Sequence, residues 1–264
     1  MAREIDTTGL ADELTATQAH VRSAPNDTRA RELLFHLYCL TGQWMRAKAQ
    51  LDALADLNAA VKRLAPAYHG LLAAESQRAL VFAGKTQPIV FGEPEPWIAW
   101  MVHTLELLEK EQWAAAAELR AKAWQAAPSC TGVISGEPFE WLADADPRLG
   151  PVLEAILDGA YHWVPFFRLA SVALEQPKTL GDLVWARAIF RWRGGGSTAG
   201  FIPVRYPATE LSPEAALQKA EKTEWVEKPE GWVFGLGQRL FITNQADHEY
   251  PLLDLRTVEF EVKR

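Results

Sequence analysis

The sequence lacks the features that mark several large functional classes. Its two cysteines, Cys39 and Cys130, are far apart and have no Cys-x-x-Cys spacing, so neither a disulfide framework nor a thiol-bound metal is indicated. Cys39 falls in an apolar helical pattern with Leu37, Tyr38 and Leu40 and reads as a small core residue. The six histidines (His20, His36, His69, His103, His162 and His248) are scattered and show none of the spacings that build a zinc site. No apolar run reaches the ~18 residues that a membrane span needs. Residues 1–6 carry acids and no apolar stretch, unlike a signal peptide. Lys and Arg never bunch and the net charge is −7, which argues against a nucleic-acid footprint and a polybasic membrane surface. Together these absences predict a cytoplasmic protein.

Signatures of nucleotide binding and of serine hydrolases are missing as well. Gly235-Leu236-Gly237-Gln238-Arg239 has no third glycine and no helix after it, so it reads as a two-glycine bend between strands. Neither Gly-x-Ser-x-Gly nor a complete Gly-x4-Gly-Lys-Ser/Thr phosphate loop occurs. Acids do gather at Asp144, Asp146 and Glu154, with Glu140 and Asp158 nearby, and such a group could support metal or acid–base chemistry. The plainer reading makes Asp146 a helix cap and lets Asp144 pair with Arg148 or turn the loop. The expectation is therefore no catalytic, cofactor or metal site. A metal-dependent hydrolase using Asp144, Asp146 and Glu154 is the alternative.

What is present is a globular composition. The 264 residues are 48% apolar and 23% charged, enough for one large or two ordinary domains with a sizeable core. Eleven tryptophans stand out, each with a large apolar body and one N–H that wants a partner, as suits cores and interface anchors.

The first half reads as helices. Residues 10–22 form a short amphipathic helix ended by Ala24-Pro25, and Asn26 or Asp27 can cap the next, which carries Leu33, Leu34, Leu37 and Leu40. Thr41-Gly42-Gln43 breaks it, and a third helix begins near Trp44 with Ala47, Leu51 and Leu54 on one face. This order matches the second half of a tetratricopeptide (TPR) repeat, where a small residue lets two helices approach. A looser copy follows in Gln112-Trp113-x-x-Ala116 with Leu119 and Ala123, after Leu105 and Leu108. Between the copies, residues 66–83 read as a further helix and residues 84–96 as a Gly/Pro-rich connector. Trp97 and Trp100 then either seal their helix against its neighbours or anchor a partner, and sealing is the commoner fate.

Residues 136–167 form the junction. Asp146-Pro147 looks like a helix start, Leu149, Val152, Leu153, Ile156 and Leu157 follow at helical spacing, and Gly159 looks like a stop. Residues 161–167 are too aromatic and Pro-interrupted for a helix and predict an edge strand. Beyond them, residues 169–174, 185–192, 199–205, 223–227, 232–234, 238–243 and 257–262 read as strands. Residues 186–206 read as a hairpin with a glycine-rich tip. Ser212-Pro213 opens one helix running to about residue 220. The fold expected is α+β and multidomain: a TPR-like array of helix pairs over residues 1–130, then a mainly antiparallel β (α+β) domain over residues 131–264.

The sequence resembles the ImpE family, also called TagJ, accessory proteins of bacterial type VI secretion systems. The first residues that carry the resemblance are Phe35-His36-Leu37-Tyr38-Cys39-Leu40, Gly42-Gln43-Trp44, Gln50-Leu51-Asp52 and Gly92-Glu93-Pro94-Glu95-Pro96-Trp97. The longest block runs Gly136-x-Pro138-Phe139-x-Trp141-x-Ala143-Asp144-Ala145-Asp146-x-Arg148-Leu149-Gly150-Pro151-Val152-Leu153-Glu154 and continues into Gly159 and Tyr161-x-Trp163-Val164-Pro165-Phe166. Later matches are Asp182-Leu183-Val184-Trp185, Pro203-x-Arg205-Tyr206-Pro207, Thr223-Glu224-Trp225, Gly235-Leu236-Gly237-Gln238-Arg239 and Tyr250-Pro251-Leu252-Leu253-Asp254. Pro147, Ala160 and His162 depart from the pattern. The resemblance implies a cytoplasmic, non-enzymatic adaptor that binds the N-terminal helix of the small contractile-sheath subunit (TssB). Through it the adaptor would act on sheath assembly or on recycling by the ClpV ATPase. An aromatic groove suits such a helix, and the residues expected to contact the partner are Trp97, Trp100, Phe139, Trp141, Asp144, Asp146, Arg148, Tyr161 and Trp163.

Overall fold

A computed structural model describes residues 9–93, 95–245 and 248–261. Residues 1–6, Pro94 and Val262, which enter the expectations above, lie outside the described residues.

The first half is helical, as its periodicity predicts. It holds α1 (Leu10–Ser23), α2 (Thr28–Leu40), α3 (Trp44–Leu57) and α4 (Ala59–Phe82), then a two-residue strand β1 (Ile89–Val90), then α5 (Pro96–Glu109) and α6 (Trp113–Ala126). Asp27 caps α2 by accepting from the amides of Arg29 and Ala30. Asn58 ends α3 and caps α4, so α4 starts seven residues before Pro66, the start expected from sequence. Pro66 thus sits inside the helix, where it forfeits one backbone hydrogen bond. The two copies of Gln-Trp-x-x-Ala are structurally equivalent. Gln43 and Gln112 precede α3 and α6, their carbonyls accept from Ala47 and Ala116, and both alanines are fully buried where the paired helices touch.

The second half is built of strands. In chain order they are β2 (Gly132–Ile134), β3 (Glu137–Phe139), β4 (Leu142–Asp144), β5 (Val152–Leu157), β6 (Ala160–Pro165), β7 (Leu169–Leu174), β8 (Trp185–Trp192) and β9 (Ser197–Pro203). The one-turn helix α7 (Ala215–Gln218) follows. After it come β10 (Thr223–Glu227), β11 (Val233–Gly237), β12 (Leu240–Thr243), β13 (Glu249–Pro251) and β14 (Thr257–Phe260). The main sheet has the order β1-β6-β5-β9-β8-β7-β14-β2-β3, antiparallel except where β1 joins β6. A smaller sheet, β13-β12-β4, lies apart from it, and β10-β11 form a ribbon. The fold is α+β, with helix pairs first and an antiparallel-rich sheet after them.

Two elements overturn their sequence readings: β6, expected at an edge, is flanked by β1 and β5, and β5 replaces an expected helix. The segment after Asp146-Pro147 is no helix: residues 147–151 form a turn, and residues 152–157 are strand β5. All six residues of β5 are buried. Val152 and Ile156 enter the core shared with the helices, while Leu153, Ala155 and Leu157 enter a second core with β4, β7, β8, β12 and β14. A strand covered on both faces shows an unbroken apolar run, and such a run mimics a buried helix. The supposed helix stop is a hairpin turn. Asp158 and Gly159 both have positive φ, 50° and 76°, as a two-residue turn between β5 and β6 requires.

Candidate functional site

Glu154 is the one charged residue in β5, and it points to the same side as Val152 and Ile156, toward the helices. It is fully buried, so its charge must be matched. Arg78 reaches it from α4 with a two-pronged contact, Nε to Oε1 at 2.6 Å and Nη2 to Oε2 at 3.0 Å. Tyr161 on β6 donates its hydroxyl at 2.5 Å and in turn accepts from the Trp163 indole at 2.8 Å. Arg239, between β11 and β12, bridges Glu154 to Asp144 on β4. Asp144 also accepts from the Tyr206 hydroxyl and from the amide of Asp146. Asp146 holds Arg148 at 2.5 Å and accepts the amide of Gly235, while the Arg148 guanidinium lies over the Phe234 ring.

Two further pairs extend the network into the helical half. Glu75, one turn before Arg78, accepts the Trp185 indole N–H at 2.8 Å and faces Arg78. Arg205 follows β9 and inserts its guanidinium under the end of α2, donating to the carbonyls of Leu40 at 2.7 Å and Cys39 at 3.2 Å. A cation at a helix C-terminus satisfies carbonyls that have no partner within the helix. Four carboxylates (Glu75, Asp144, Asp146 and Glu154) thus face four guanidiniums (Arg78, Arg148, Arg205 and Arg239). Charge is balanced inside the fold.

The two carboxyls that share Arg239 titrate in opposite directions. Burial would raise Glu154, but Arg78 and Arg239 together outweigh it and hold the carboxyl at about 2. Burial pushes Asp144 up to about 6, Arg239 offsets this only in part, and the neighbouring Asp146 charge adds to the rise. Burial is also the main effect on Arg205, whose guanidinium is pushed below its usual value.

The structure brings Asp144, Asp146, Arg148, Tyr161 and Trp163 of the expected contact set into this network and buries all but the edge of Arg148. Trp97 and Phe139 are also buried, Trp97 in the shared core and Phe139 in the second core. Trp100 is half-buried under Lys122, and Trp141 is 40% exposed. Asp146 caps no helix, because no helix follows it, and Asp144 pairs with Arg239 rather than Arg148. The alternative hydrolase set fares no better: each of its three carboxylates is directed at a guanidinium. Among the described residues no group of three His, Cys, Asp or Glu is placed to hold a metal ion. Sequence reasoning missed Glu75, Arg78, Arg205 and Arg239 as members of the network. The available signal was the pair Glu75 and Arg78 inside the otherwise apolar face of a helix.

The sequence profile of the ImpE protein family matches residues 136–259, the stretch that supplies Asp144, Asp146, Glu154, Arg205 and Arg239. A protein of Pseudomonas aeruginosa, the type VI secretion system accessory component TagJ, is 40% identical over 252 residues. That match covers 96% of this chain and 88% of the relative. The fold is similar to the X-ray crystal structure of protein VPA1032 from Vibrio parahaemolyticus, with a TM-score of 0.87 at 21% identity over 96% of this chain and 94% of that one. The likeness to VPA1032 speaks for the architecture alone, whereas the match to TagJ runs through both halves and the charged junction between them. On that match the chain belongs to the ImpE/TagJ family.

Proposed function

We propose that this chain is a type VI secretion accessory protein acting in the cytoplasm as a non-enzymatic adaptor. It binds the N-terminal helix of the small contractile-sheath subunit (TssB) and so modulates sheath assembly or its ClpV-linked recycling. The observation that carries this reading is the 40% identity to TagJ across 96% of the chain. The junction is consistent with it: side chains able to do acid–base work are buried and matched to arginines, which suits a rigid platform better than a reaction centre. No described helix is long and apolar enough to cross a membrane.

The test is co-purification of the full chain with the small sheath subunit, with and without that subunit's first helix. Retention of the intact subunit and loss of the truncated one is the expected result. Equal retention of both rejects the helix as the contact, and retention of neither rejects the adaptor.

A further inference from the structure

Helix α4 is longer than the surface it covers. In its later turns Gly70 packs so tightly on the β5–β6 turn that a Cβ there would lie 2.7 Å from the Gly159 Cα, and Ala74 is buried. Ala60, Arg63 and Ala67 continue the same helical stripe toward the N-terminus, and all three are exposed. Below them the main sheet continues. Ile156, which α4 covers, is paired with Phe201, and the same face runs on through Ala199 on β9 and Ile189 on β8. Ile189 is 48% exposed. Between the helix stripe and this face lies a cleft of about 360 Å³.

We infer that this cleft is the docking groove for an amphipathic helix of the partner, one with an apolar stripe bordered by carboxylates. The inference rests on the adaptor reading and gives it a place. Geometry favours a helix: the strip from β9 to β7 spans two strand spacings, about 10 Å, which is the diameter of an α-helix with its side chains. A helix laid beside α4 extends the helical layer over the uncovered part of the sheet. Charge selects its flanks. Arg63, one turn before Ala67 on α4, and Arg191, two residues beyond Ile189 on the same sheet face, flank the cleft, are exposed and make no ion pair among the described residues. That leaves unmatched positive charge flanking a mostly apolar cleft whose one acidic lining residue is Asp158 at the β5–β6 turn, so the helix would set its carboxylates toward the arginines and away from that turn.

A labelled peptide of the sheath subunit's first helix is titrated by fluorescence anisotropy against the full chain and three variants, with thermal melts as a check on folding. Ala67→Arg, which fills the groove, and the double change Arg63→Glu/Arg191→Glu, which inverts its charge, each weaken binding at least tenfold. Met45→Arg, at an exposed position on α3 away from the groove, leaves binding unchanged. Wild-type binding in either groove variant overturns the groove and leaves the adaptor standing. A wild-type chain that does not bind the peptide overturns the adaptor, and the groove with it.

Discussion

The junction and the cleft beside α4 use the same residue types to opposite ends. At the junction, arginines and carboxylates are buried in one shared network, and they fix the helical half to the sheet. At the cleft, Arg63 and Arg191 are exposed and unmatched, beside apolar side chains that nothing covers. A charge that is paired inside a protein holds an architecture; a charge left unpaired at the edge of a groove is available to select a partner. The contrast also explains why the family block of the sequence is rich in acids and arginines: they pair inside the fold and tie its two halves together.

The largest effect should come from breaking the junction. Glu154→Ala leaves Arg78 and Arg239 buried with too few partners and should cost roughly 3–5 kcal/mol, measured as a fall in the denaturant midpoint. Arg205→Met uncaps α2 and should cost about 2–3 kcal/mol, with hydrogen exchange rising first at the amides closing the last turn of α2. Gly70→Ala places a methyl against the Gly159 backbone and should cost roughly 1–3 kcal/mol by overpacking. It should also loosen α4 from the β5–β6 turn, seen as faster exchange in both.

A pH series sharpens the comparison further. His36, buried on α2, is pushed by burial from 6.5 to about 4. The folded protein keeps it neutral while the unfolded chain takes up a proton, so its contribution is full above pH 6.5 and lost as pH falls to 4. Asp144 runs the other way, raised from 3.8 to about 6, so its contribution is full below 3.8 and lost as pH rises through 6. The two oppose each other, and the wild-type melting temperature should change little between pH 6 and 4.5. In His36→Phe it should rise as pH falls across that interval. Below it both proteins should weaken, because Glu154, lowered from 4.5 to about 2, loses its contribution as pH falls from 4.5 toward 2. The smallest effect belongs to Trp141→Ala, expected within about 0.5 kcal/mol of wild type because the side chain is partly exposed and outside the network.

Much of this fold was legible in the sequence where one face of an element meets water. The helices α2, α3, α5 and α6 announce themselves by periodicity, and β8 by alternation toward an exposed Ile189 and Arg191. Legibility failed where water is excluded from both sides, as along β5, because a run apolar at every step carries no period. The Asp158-Gly159 pair held the correct signal, a hairpin turn, but the apparent helix before it made Gly159 look like a stop. The site was read in part. Asp144, Asp146 and Arg148 stood out as a cluster, whereas their link to α4 depended on Arg239, 95 residues from Asp144 in the chain. No local pattern reports a pairing at that range.

Because β5 belongs to two cores at once, the chain should resist being cut. The helical half is synthesised first and already carries β1, a strand whose neighbour β6 emerges only some seventy residues later. A fragment ending near residue 130 would expose the side of α4 that carries Glu75 and Arg78, and a fragment starting there would leave Glu154 without Arg78. The boundary visible in secondary structure should thus behave as a seam in the chain's order, and neither fragment is expected to fold cooperatively without the other.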